Sequence, residues 1–149
     1  MIKSSLHEFI DRVLESKRIS EYDIQILQRS ILEDGIASWD EADVLIALDR
    51  AIGTAHPAWA AYLTGAVVDF VVWTSRPTGV VDADMARWLV ASLGCGTGPT
   101  DTAARIAFEV VKEAERTDEI LLAFVMRVAH GRQAREEAGS AGVLAKFAA

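Results

Sequence analysis

The stretch Ala58-Trp-Ala-Ala-Tyr-Leu-Thr-Gly-Ala-Val-Val-Asp-Phe-Val-Val-Trp73 is apolar on every side and carries one charge, Asp69. A helix of that composition has no polar face to turn to water, so protein or lipid must cover it. Its sixteen residues fall short of the ~20 that span a bilayer, and a carboxylate is costly in hydrocarbon. No Lys or Arg between Arg50 and Arg76 anchors or orients a span. The reading is a buried central helix of an all-α bundle, with no membrane span.

Amphipathic segments on either side can wrap that helix. Leu6, Phe9, Ile10, Val13 and Leu14 recur at helical spacing and predict a first helix over 3–16. Ser20 with Asp23 three residues on starts a second, which the turn dipeptide Asp34-Gly35 ends near Glu33. Ser38-Trp-Asp-Glu41 is a capping box, with the Glu41 carboxylate reaching back to the Ser38 amide, and opens a third helix. His56-Pro57 starts the central helix, and Arg76-Pro-Thr-Gly79 breaks it. Asp82 caps a fifth helix, Thr100 or Asp101 opens a sixth, and Thr117-Asp118 opens a seventh that stops near His130, with Gly131 beyond its end. No strand is predicted. The expected fold is one all-α domain over 1–131, a compact bundle of about seven helices. A flexible tail over 132–149 follows, with a fragment of helix around Val143 to Phe147.

Composition narrows the function classes. The chain has 149 residues, 51% hydrophobic and 25% charged, which is globular and long enough for a sizeable core. A net charge of -7 argues against a grip on a phosphate backbone, so no nucleic-acid partner is expected. The lone Cys95 allows neither an intrachain disulfide nor a cysteine zinc cage. The first residues alternate charge with apolar side chains and do not read as a signal peptide, which makes the cytoplasm the expected compartment.

The turns that begin helices resemble one another. Asp34-Gly-Ile-Ala-Ser38-x-x-Glu41-x-x-x-Leu45 aligns with Thr78-Gly-Val-Val-Asp82-x-x-Met85-x-x-x-Leu89, forty-four positions on. Arg18-Ile-Ser20-x-x-Asp23-x-x-x-Leu27 is a weaker third copy without the Gly. Two related helical hairpins flanking the central helix are the simplest architecture. The first copy, with Ile31-Leu-Glu before it, resembles the helix-start motif of the TerB-like family of tellurite-resistance proteins, over a core of about 20–130. That resemblance implies an all-α bundle of two related halves in an accessory, stress-response protein without a defined reaction. It also implies acidic turns able to take a divalent cation, calcium or magnesium, here at Asp34 and Glu41. The second half departs, with Thr78 and Met85 at the matching places.

Three acids make the candidate metal set: Asp34, Glu41 and Asp69. Asp34 to Glu41 echoes half of a calcium-binding loop, but Ser30 and Leu32 stand where further ligands belong. Asp69 is expected to be buried or half-buried, paired with Arg87, Arg105 or Arg127 or held in a helix-capping bond. Trp39, between Ser38 and Asp40 on a polar helix start, is expected at the surface, which makes Trp39 and Asp40 the candidate partner-binding pair. The preferred function is a non-enzymatic accessory or protein-interaction module with an acidic face, responsive to a divalent cation. One alternative is a small helical enzyme using Asp69 with His56, although no third catalytic group accompanies them. A lower one is a helix-turn-helix nucleic-acid binder, which lacks a basic recognition helix. Self-association through Trp39 or Ala-rich faces is the remaining partner expectation.

Overall fold

The computed structural model describes residues 2–52, 54–96 and 98–131, so the expectations for the tail lie outside the described residues. The chain is all-α. Its helices are α1 (Ser4–Ser16), α2 (Glu21–Ile26), α3 (Trp39–Ala51), α4 (Ala58–Val68), α5 (Ala83–Gly94), α6 (Asp101–Glu113) and α7 (119–131). Gly131 is still helical, where Gly was read as the stop. Both α2 and α4 run on as π-helical turns, Leu27–Ile31 and Asp69–Thr74. Their signatures are five-residue bonds, Leu32 N to Leu27 O at 2.7 Å and Ser75 N to Phe70 O at 3.0 Å. Among the described residues no helix is long and apolar enough to cross a membrane.

Among the described residues four two-residue strands, where the sequence predicts none, tie the helices in two parallel pairs. β1 (Arg18–Ile19) pairs with β2 (Thr54–Ala55), and β3 (Val80–Val81) with β4 (Arg116–Thr117). Two residues are too few for alternation to register. They carry the architecture nonetheless, because each strand of the second pair lies 62 positions after its counterpart in the first.

That offset runs through both halves. α3 and α6 are both thirteen residues long and start 62 positions apart, at Trp39 and Asp101. The caps Ser20 and Asp82 accept from Asp23 and Met85 amides, and Ser38 and Thr100 from Glu41 and Ala103 amides. His56 N donates to Ile19 O at 2.8 Å, and Asp118 N to Val81 O at 2.9 Å. The molecule is two equivalent units, one beginning at β1 and one at β3, each ordered strand, two helices, strand, helix. α4 is shared: it closes unit one, and its later turns precede β3 as α1 precedes β1.

The expected register of the repeat is thereby corrected. The true counterpart of Val80-Val-Asp82 is the weaker copy, Arg18-Ile-Ser20, and not Gly-Ile-Ala-Ser38. Asp34-Gly35 joins two helices inside unit one, whereas Thr78-Gly79 links the units. Both need a left-handed turn glycine, φ 85° at Gly35 and 79° at Gly79, and that shared chemistry made them look equivalent.

One core fills the space between the helices, with Leu6, Leu27, Leu45, Leu63, Leu89, Leu93 and Leu121 fully buried. α4 packs along α6 and also meets α2 and α3, as a central helix should. It is not covered on every side, however. Ala58, Ala61, Gly65, Asp69 and Trp73 form one exposed stripe along it. Hydropathy misses such a stripe because Ala and Gly expose little apolar area. Asp69 is therefore exposed and solvated, not a buried partner of an arginine. The π-turn that starts at Asp69 buries Phe70, Val71 and Val72 in succession, a pattern no α-helical wheel predicts.

Tyr62, whose ring lies 6.1 Å from that of Trp59, is half-buried, and burial pushes its phenol from 10.0 up to about 12. The unfolded chain ionises first. The stability gained by keeping the phenol neutral is complete below pH 10 and is lost as pH rises towards 12. Tyr22→Phe leaves Tyr62 as the sole tyrosine, and its absorbance titration should have a midpoint near 12. A midpoint at the ordinary value of 10.0 would contradict the burial.

Candidate interaction face

Between Ser30 and Asp49 the chain has six acids and no Lys, Arg or His. This run makes the end of α2, the turn after it and most of α3. Ser38 caps α3 by accepting from Glu41 N at 3.2 Å. The return bond differs from the expected capping box: Glu41 Oε1 accepts from Ala37 N, one residue before the cap, also at 3.2 Å. Reaching past Ser38 carries the carboxylate inward. Glu41 is only 3% exposed, and its Oε2 is buried with no hydrogen-bond partner.

The three acids of the candidate metal set do not come together. Asp34 is exposed on the turn, Glu41 is buried behind it, and Asp69 is exposed on the π-turn of α4. Among the described residues no three His, Cys, Asp or Glu side chains are grouped so that they could hold a metal ion. Calcium and magnesium take several oxygen ligands at once, and these three acids do not supply them together.

The proposed enzyme pair also fails on geometry. His56 and Asp69 lie thirteen residues apart along one helix and its cap, roughly 20 Å at 1.5 Å per residue. His56 Nδ1 accepts from Ala58 N at 3.1 Å, as the Asp118 carboxylate accepts from Ile120 N at 3.0 Å in the equivalent turn. Its imidazole holds the start of α4. It is a turn residue.

Trp39 is where the sequence places it, at the surface and 41% exposed. Its ring stacks at 5.1 Å on Trp88 of α5, and Trp88 in turn meets buried Phe70 edge-on at 6.3 Å. Trp73 is equally exposed, at 44%, which the sequence reading missed. Beyond the Trp39–Trp88 stack, α3 and α5 border a groove of about 410 Å³. Val44, Ala47 and Ala91 give it an apolar lining of small side chains, and Trp88, Arg50 and Cys95 also border it.

Polar bonds fix the two walls. Ser92 Oγ donates to Asp43 Oδ1, and Arg50 Nη2 donates to Ser92 O at 2.7 Å. Beneath them Asp49 receives Trp59 Nε1 at 3.0 Å and Thr100 Oγ1 at 2.7 Å, joining α3, α4 and the cap of α6. The groove thus has an aromatic end at Trp88 and one carboxylate, Asp43, opposite in sign to Arg50, in its lining. The exposed acids Glu33, Asp34 and Asp40 precede and follow Trp39 in the chain. Asp43, Trp88 and Ser92 were not singled out from sequence. Each looks ordinary on its own helix, and only the crossing of α3 and α5 brings them together.

No protein-family model matches the chain, and no curated protein or solved structure is significantly similar to it.

Proposed function

We propose that this chain is a non-enzymatic interaction module, an accessory protein of the TerB-like kind, that takes a basic amphipathic helix of another protein into the α3–α5 groove. The observation that carries this reading is the exposed Trp39 stacked on Trp88 at the end of a small-residue groove. Tryptophan pairs are favoured anchors for an apolar side chain, and a groove between two helices suits a third. The acids around Trp39 select the sign of the partner's charge. A cation response is not part of this reading, because the acids nominated for it do not converge.

The test is a selection from a displayed random-peptide library on wild-type protein, depleted on Trp39→Ala with Trp88→Ala. The expected result is enrichment of peptides with apolar residues at helical spacing and Lys or Arg between them. Peptides that bind the depleting variant equally well, or are acidic, would overturn it.

A further inference from the structure

α3 and α6 hold the same place in the two units, but only α3 has the helix of a further unit, α5, packed on its outer face. That face of α3 carries Asp43, Ile46, Ala47 and Arg50. Asp43 and Arg50 both bond to Ser92 of α5, and Ile46 is buried. The counterparts 62 positions on are Arg105, Phe108, Glu109 and Lys112 of α6. There Phe108 is 58% exposed, Arg105 and Lys112 are exposed, and Glu109 is half-buried. Val125 and Ala129 of α7 line a groove of about 440 Å³ with Phe108, and Met126 next to Val125 is 72% exposed.

We propose that a second copy of this chain covers this face, with the two α6 helices packed antiparallel and the two Phe108 rings at the centre. The charges on the face select that occupant. Asp101, Arg105, Glu109 and Lys112 alternate in sign along α6 at steps of three or four residues, which is one helical stripe with Phe108 inside it. Turned end for end, the stripe sets Arg105 against the partner's Glu109 and Asp101 against the partner's Lys112, each pair twice over. Each Phe108 then lies about one residue, ~1.5 Å along the helix, from the twofold axis. A parallel pair would set like against like.

Among the described residues none of these four charges has an ion pair within its own chain. Pairs at the rim of such a contact add little affinity and set its orientation, while burial of the two phenylalanines and the apolar α7 residues beside them supplies the attraction. The Trp39 face offers no such match to itself, because the run from Ser30 to Asp49 carries acids and no Lys, Arg or His.

The test is sedimentation velocity of the full chain over a range of concentrations. The wild-type protein should pass from monomer to dimer, and Phe108→Asp should weaken the dimer at least ~30-fold, since the change enters the interface twice. Arg105→Glu alone and Glu109→Arg alone should each dimerise at least ~10-fold more weakly, because each sets like charges face to face. Mixed in equal amounts, those two variants should dimerise as well as wild type, since opposite charges then meet again, and that recovery also shows both to be folded. A wild-type chain that stays monomeric at its highest soluble concentration overturns the proposal. So does a mixture that associates no better than its components, or a dimer that Phe108→Asp leaves intact and Trp39→Ala with Trp88→Ala breaks, because the other face would then be the contact.

Discussion

Asp49→Ala should lower the unfolding free energy by roughly 2–4 kcal/mol, because it orphans two donors at once, each worth ~1–3 kcal/mol. The Trp59 indole N–H and the Thr100 hydroxyl both end on this carboxylate. Trp59 is 2% exposed, so its N–H cannot turn to water instead. Thr100 also caps α6, so its loosening reaches the first turn of that helix. Asp49→Asn should be much milder, since its amide oxygen still accepts from Trp59 and the Thr100 hydroxyl can accept as well as donate. Urea unfolding of the two variants reads the difference. Equal losses would mean that the charge of Asp49, and not its two hydrogen bonds, holds α3, α4 and α6 together.

Leu27→Ala and Leu89→Ala should each lose ~2–5 kcal/mol, the range for emptying a packed leucine site. Both side chains are fully buried, and they occupy the same place in the two units. Each variant should still unfold in a single transition. α4 belongs to both units, so neither can lose its closing helix without exposing the other's core. Far-ultraviolet dichroism and tryptophan fluorescence should give coincident curves for both variants. A Leu89→Ala protein that loses part of its helix while Trp59 stays buried would contradict the shared helix and make the units independent.

Helix positions were legible because their signals are local. Ser20, Ser38, Asp82 and Thr100 each cap a helix where the sequence places one, and each does so by accepting from the amide three residues on. Trp39 was legible for a similar reason, standing apolar at a polar helix start. What depended on distant chain was not legible. The 62-residue register is set by strands too short to have a pattern, and two glycine turns with different roles imitate each other. Asp69 was misplaced because the exposed stripe it continues, Ala58, Ala61 and Gly65, is made of residues too small for hydropathy to mark as a surface. The groove needed both walls: nothing about Ala47 or Ala91 alone marks it, and Asp43 finds Ser92 only across the helix crossing.

The most direct measurement is the affinity of one selected basic helical peptide, by titration calorimetry, for wild-type protein and for Trp39→Ala with Trp88→Ala. Trp39 is surface-exposed and Trp88 half-buried, so dichroism must first show the double variant folded. The account predicts at least a ~30-fold weaker Kd for the double variant, the ~2 kcal/mol expected of an aromatic anchor. It also predicts weaker binding to wild type as salt rises, because the acids beside Trp39 in the chain are opposite in charge to the peptide. An affinity that survives the loss of both tryptophans would contradict the assignment of the α3–α5 groove as the binding face.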